Sequence, residues 1–174
     1  MDLALLILRL VVGLTLSAHG AQKLFGWFGG HGIEGTGAFN EAIGLRPGRF
    51  NAWIAGTAEL SGGLLIALGL ITPLGAAALI AVMTAAVATV HLRNGFFFTG
   101  NGFEYNLVMV AAAFALAGVG PGAWSLDSAF DIHLTGVGWA LAALGAGLLG
   151  GLTAVGLGRL ESSRTDDRRR PHPA

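Results

Sequence analysis

Five stretches of mostly apolar residues, each near the length needed to cross a bilayer, constrain this chain more than any other feature. Spanning about 30 Å of hydrocarbon takes roughly 20 residues of helix. Leu3 to Leu24 meets that length with Arg9 and His19 inside it, and Ala52 to Ile71 carries one acid, Glu59. Leu74 to Val90 is shorter and unbroken by charge. Phe103 to Val119 has Glu104 and Asn106 in its first turn, and Leu134 to Leu157 is the longest and holds no charge. Only 11% of the 174 residues are charged and 53% are hydrophobic, where soluble domains carry about 25% charge. A chain this small cannot hide so much apolar surface from water. Lipid removes the difficulty, and 29 glycines suit the close helix approach that membrane interiors favour. The expected fold is an all-α integral membrane protein: a bundle of four core transmembrane helices over residues 1–132, and a fifth transmembrane helix over 133–158. Residues 159–174 read as a disordered basic tail.

Basic residues set the expected orientation. With five spans, Lys23, Arg46, Arg49, Arg93, Arg159, Arg164 and the run Arg168, Arg169, Arg170 share one side of the membrane. The other side holds Asp2, the Thr72-Pro73 turn, Asp127 and Asp131, with no Lys or Arg. This places the N-terminus outside and the tail in the cytoplasm. Met1-Asp2 lacks a positive n-region and Arg9 interrupts the apolar run, so a cleaved signal peptide is not expected, although Ala18-His19-Gly20 loosely imitates a cleavage site. In the Gly-rich first loop, Thr36 to Ile43 is expected to form a short interfacial helix ended by Gly44, with Pro47 beyond. Trp27, Phe28, Phe50, Trp53, Phe96, Phe97 and Phe98 fall at the basic side and read as an aromatic belt.

The formal charge is zero, which points away from a nucleic-acid partner. With no cysteine, the chain performs no thiol chemistry of its own and forms no disulfide or thiolate metal site.

Ionisable side chains within spans cost about 2.5–3.5 kcal/mol at the helix centre and usually face the bundle interior. Arg9, Leu16, His19 and Lys23 share an arc of about 80° on the first helix, which makes that face its polar seam. Glu59 lies roughly 12 Å inside the second span from its basic end. It is flanked at helical spacing by Ala55, Gly56, Gly62 and Gly63, a small-residue packing face. A carboxylate there is either protonated or paired with a cation, and His19 or Lys23 is the candidate. His91 closes the third span on the same side and Glu104 opens the fourth. His19, Lys23, Glu59, His91 and Glu104 are therefore expected to share one layer, a candidate binding or proton-handling site. Arg9 lies about 15 Å further along the first helix, where Asp127 is its expected structural counter-ion. Simpler readings stand beside these. Lys23 can snorkel to the interface, and His91 and Glu104 can be ordinary cap residues. His19, His91, Glu59 and Glu104 are acceptable metal-ligand types, but they lack adjacent-turn spacing and no metal is expected.

The pattern Leu8-Arg9-Leu10, Gly13, His19-Gly20, Lys23-Leu24, Gly26 resembles the DoxX family of small bacterial membrane proteins. The resemblance continues through Glu59, Gly62-Gly63, Gly69, His91 and Gly95-Phe96-Phe97. It closes on Gly120-Pro121-Gly122 and Ser125-Leu126-Asp127, covering about residues 3 to 132. It implies a four-helix membrane core, to which this chain adds the fifth span and the tail. It further implies a redox-related role, since similar proteins are linked to oxidative and thiol stress, to membrane oxidoreductase complexes and to a quinone-reducing thiosulfate oxidoreductase.

Three functions follow as expectations. The first is a membrane subunit of a redox or thiol-stress system that docks a soluble oxidoreductase and holds quinone near the polar layer, exchanging protons through His19, Glu59 and His91. The second is a small proton-coupled permease, which with five spans would need to form a homo-oligomer. The third is a non-catalytic assembly or anchor protein whose polar residues lock the bundle. All three have the lipid bilayer as partner, and no cofactor motif is evident.

Overall fold

The computed structural model describes residues 1–169, with side chains to Thr165. Seven α-helices account for most of it: α1 (Asp2–Phe25), α2 (Gly32–Ala42), α3 (Gly48–Leu68), α4 (Thr72–Ala86), α5 (Glu104–Val119), α6 (Leu126–Ala129) and α7 (Val137–Arg169). No strand occurs among the described residues. A π-helical turn at Val87–His91 and a 3-10 turn at Leu92–Asn94 prolong α4, so the third apolar run extends past Val90 to Asn94.

Small residues set the closest helix pair. Gly13, Ser17 and Gly20 lie on one face of α1, and Gly56, Gly63 and Ala67 lie opposite on α3. A methyl group placed on Gly13 would sit 2.5 Å from the Ala67 amide nitrogen, and one on Gly20 would sit 2.7 Å from the Gly56 carbonyl oxygen. Ser17 Oγ donates across the gap to the Leu60 carbonyl at 3.2 Å. Side chains at these positions would force the backbones apart, which is the physical reason for the small-residue faces.

The core is filled by Leu16 of α1, Ile66 of α3, Leu79 and Ile80 of α4, and Leu116 of α5, all without exposed surface. α7 joins through a stripe of small residues: Gly147 and Gly151 are laid against α4, Ala140 lies beside Gly118 of α5, and Ala143 belongs to the same core. A methyl on Gly147 would lie 2.5 Å from Ile80 Cβ. The apolar part of α7 is thus patterned by size, with its larger residues turned outward: Leu149 is 70% exposed and Leu152 56%. The outer faces of α1 and α5 are likewise apolar, with Val11 61% and Val108 62% exposed. Such a surface is adapted to lipid rather than water.

Asp2–Phe25, Thr72–Asn94 and Val137–Thr165 are long and apolar enough to cross a membrane. α5 is apolar and shorter, at 16 residues. α3 has 21 residues and buries Glu59. It begins at Gly48 rather than Ala52 and stops at Leu68 rather than Ile71, because Gly69 takes a left-handed φ of +63° and the Leu70 amide closes back on Leu65, a common helix stop. The interfacial helix expected from Thr36 starts a turn earlier, at Gly32.

The segment 159–174, read from sequence as a disordered tail, needs correction: α7 continues through it to Arg169. Extending an existing helix avoids the cost of a new nucleus. Glu161 and Arg164 form an i,i+3 ion pair at 3.7 Å, and Arg159 Nη2 donates to the Ala88 carbonyl at 3.2 Å. Residues 170–174, the end of that segment, lie outside the described residues.

Candidate functional site

Glu59 sits mid-way along α3, only 2% exposed, and its Oε1 is paired with Lys23 Nζ of α1. Gly56 makes this reach available. A methyl there would lie 2.7 Å from Leu24 Cγ and 3.3 Å from Lys23 Cβ, so the Lys23 stem passes over a face kept bare by glycine. The pair is asymmetric: Lys23 keeps 30% of its side chain exposed, while Glu59 Oε2 is buried without a hydrogen-bond partner. A buried charge pair with one open acceptor is a polar point held inside an apolar bundle.

His19 lies one turn before Lys23. It is exposed, pairs its Nδ1 with Gln22 Oε1 at 3.1 Å, and stands within electrostatic reach of Glu59 without bonding to it. His91 and Glu104 have another occupation. The His91 Nδ1–H donates to the Asn101 carbonyl at 2.8 Å, and Glu104 Oε2 accepts the Phe98 amide at 2.9 Å. Asn94 joins them through Nδ2 to Asn101 O at 3.2 Å. These side chains pin the loop between α4 and α5, where Phe96 packs edge-on to Phe97 and Phe103 at 5.3 and 5.5 Å. The expected five-residue layer therefore divides into a Lys23–Glu59 pair with His19 nearby, and a His91/Glu104 loop clasp.

Two residues of α5 were not expected as site residues. The Tyr105 hydroxyl is buried without a partner and stands within electrostatic reach of Glu59. Asn106 is 3% exposed; its Nδ2 donates to Met83 Sδ at 3.4 Å, and its Oδ1 is left open. Their signal in the sequence was the polar run Glu104-Tyr105-Asn106 opening an apolar helix, which holds the chain's only tyrosine.

At the opposite end, the direct Arg9–Asp127 ion pair is not formed. Asp127 accepts from the Ile71 amide at 2.6 Å, the Thr72 amide at 3.1 Å and Thr72 Oγ1 at 2.7 Å. It thereby caps α4, whose first amides have no partner within the helix, and it supports Ile71 at a φ of +44°, a conformation costly for a β-branched residue. The Asp127 amide also donates to Gly69 O at 2.7 Å. Arg9 has no exposed surface and donates through Nη2 to the Trp124 carbonyl, while its Nη1 packs against Gly69. Three competing donors take up the carboxylate, so Arg9 and Asp127 meet through the α3–α4 turn and feel each other only through space.

No three His, Asp or Glu side chains among the described residues are grouped to hold a metal ion. The model for the family described as DoxX matches residues 4–92, the segment that contains α1, α3 and α4 with Lys23, Glu59 and His91. The chain belongs to the DoxX family. Among DoxX-type relatives, the chain is 32% identical over 118 residues to the "Putative oxidoreductase CatD" of Bacillus subtilis, covering 67% of this chain and 81% of that protein. It is also 32% identical over 141 residues to the "Uncharacterized membrane protein Rv3486" of Mycobacterium tuberculosis, covering 75% of this chain and 83% of that one. No solved structure matches. This DoxX protein is thus a helical membrane protein, and its Lys23–Glu59 pair lies inside the family-matched segment.

Proposed function

We propose that this DoxX protein is a membrane subunit of a redox or thiol-stress system, with the Lys23–Glu59 pair as the point where a reducible, lipid-soluble molecule such as a quinone exchanges protons. The observation that carries this reading is the open Glu59 oxygen beside its lysine partner, deep in an apolar bundle. A purely structural pair would gain by satisfying both oxygens, since an unmet buried acceptor costs about 1–3 kcal/mol. The ammonium supplies a donor for a quinone oxygen, the carboxylate exchanges a proton, and His19 stands at the exposed edge to pass that proton outward. The oxidoreductase name of the Bacillus subtilis relative agrees with this direction. The electrons would come from a soluble oxidoreductase docked at the basic end, because the chain has no cysteine.

In this reading the chain crosses a bacterial plasma membrane five times, through α1, α3, α4, α5 and α7. Its N-terminus is outside and its basic end cytoplasmic, in keeping with the one-sided Lys and Arg distribution. The assembly or anchor role remains the second reading, favoured by the loop-clasp use of His91 and Glu104. The test is extraction of the protein purified in mild detergent, with a reduced-minus-oxidised ultraviolet difference spectrum of the extract. A quinone signal retained by wild type and lost in Glu59→Gln supports the redox role. An extract free of quinone, with the phenotype of a deletion strain confined to the assembly of other membrane proteins, favours the anchor.

A further inference from the structure

α4 does not end as a regular α-helix: its continuation at Val87–His91 is π-helical, a rare geometry found often at functional sites. Two arginines reach this turn from different helices. Arg93, just beyond the turn, donates through Nη2 to the Thr89 carbonyl at 2.9 Å. Arg159 of α7 donates through Nη2 to the Ala88 carbonyl at 3.2 Å. The two acceptors belong to successive residues, so two like charges are anchored side by side. Neither guanidinium forms an ion pair among the described residues, and Glu161, two residues beyond Arg159, pairs with Arg164 at 3.7 Å. Both arginines line a cleft of about 260 Å³ whose remaining wall includes Val87, Val90 and Leu92 and, among the described residues, no Asp or Glu.

We propose that this cleft holds the phosphate of one anionic phospholipid between Arg93 and Arg159, with the lipid's glycerol end against Val87, Val90 and Leu92. Each arginine gives one of its five N–H donors to a carbonyl, which fixes the guanidinium and leaves donors for phosphate oxygens, a match in charge and shape. An anion between the two cations relieves their mutual repulsion, which no described acid does. The cleft is smaller than most sites for whole small molecules, and a head group alone needs less room. It lies where the apolar span Thr72–Asn94 ends, the level of lipid head groups, where basic pockets between helices take anionic lipids. A water-soluble anion would leave Leu92, 62% exposed, uncovered, and a zwitterionic lipid would bring its own cation against the arginines. The bound lipid ties α7 to the π-helical turn. Arg93 and Arg159 both lie beyond the family-matched residues 4–92, and the site does not rest on the function proposed for the Lys23–Glu59 pair.

Native mass spectrometry of the purified full chain, titrated with dioleoyl phosphatidylglycerol or dioleoyl phosphatidylcholine, tests this. The expected result is one phosphatidylglycerol held per chain in preference to phosphatidylcholine. Arg93→Gln and Arg159→Gln should each weaken it about fivefold, and the double variant should hold the two lipids alike. Arg49→Gln removes the same charge from a side chain that pairs with Glu34 at 2.8 Å and does not line the cleft, so it should change nothing. Arg159 is exposed, and Arg159→Gln alone decides the matter if Arg93→Gln does not fold. Equal retention of the two lipids by wild type would overturn the proposal, as would an effect of Arg49→Gln as large as that of Arg159→Gln. Displacement of the lipid by inorganic phosphate, or retention of a second chain in its place, would assign the cleft to another occupant and overturn it as well.

Discussion

Lys23 of α1 reaches the buried Glu59 of α3 across Gly56, so the absence of a side chain at position 56 gives the lysine its path. Close helix packing and the polar site are thereby one arrangement, since the glycines that bring α1 onto α3 also bring the cation to the acid. Replacing Gly56 by leucine should displace Leu24 and the Lys23 stem and destabilise the bundle by about 1–3 kcal/mol, the usual range for overpacking. Thermal unfolding in detergent should show a lower midpoint for Gly56→Leu. Leucine at Gly145, where a side chain would meet open space, should have little effect.

Asp127 serves the amides of Ile71 and Thr72, and this fixes what charge exchange can do. Asp127→Ala removes three hydrogen bonds from the start of α4 and should cost about 3 kcal/mol or more, as bonds to a charged acceptor contribute roughly 1.5–3 kcal/mol each. Exchanging the charges, Arg9→Asp with Asp127→Arg, should rescue nothing, because an arginine cannot accept from those amides. Recovery of wild-type thermal stability in the exchanged protein would restore the direct ion pair to consideration.

The all-helical membrane fold, three of the long apolar helices, the small-residue faces and the isolation of Glu59 were legible in the sequence, because a charge within an apolar run has few places to go and glycine at helical spacing marks close approach. The partner of Asp127 was not. Sequence depth put Arg9 and Asp127 at one level, but it could not show that the Thr72 hydroxyl and two backbone amides would compete for the carboxylate. His91 and Glu104 were placed at the right end of their helices and given the wrong neighbours, since their partners are backbone groups of the Phe98–Asn101 turn, which carry no side-chain signature. The length of α7 was hidden for a related reason: the polar composition after Gly158 looks like solvent-exposed coil, while its i,i+3 pairing and its bond to the π-helical turn keep it helical.

The loop clasp gives an independent expectation. His91→Ala or Glu104→Ala should loosen residues 95–103 while leaving the Lys23–Glu59 pair intact. Each lost hydrogen bond is worth about 1 kcal/mol, so amide exchange at Phe98 should quicken roughly five- to tenfold with little change in thermal midpoint. Loss of the quinone signal in both variants, at wild-type stability, would instead place these residues in the ligand site.

For orientation, a reporter active only in the periplasm, fused after residue 174, should give no signal, and one fused before Met1 should be active. The reverse pattern would invert the protein, and activity at both ends would remove one span.

The most direct test of the Lys23–Glu59 pair as a functional site is complementation of a deletion strain challenged with oxidants and thiol-reactive compounds. Glu59→Gln keeps the size of the side chain and most of its hydrogen-bonding capacity while removing the charge, and neutralising a buried carboxylate can even stabilise a bundle. We expect well-expressed, folded Glu59→Gln to fail to restore resistance, and Lys23→Met to fail in the same way. Complementation by Glu59→Gln equal to that of wild type would contradict this and leave the pair as packing alone.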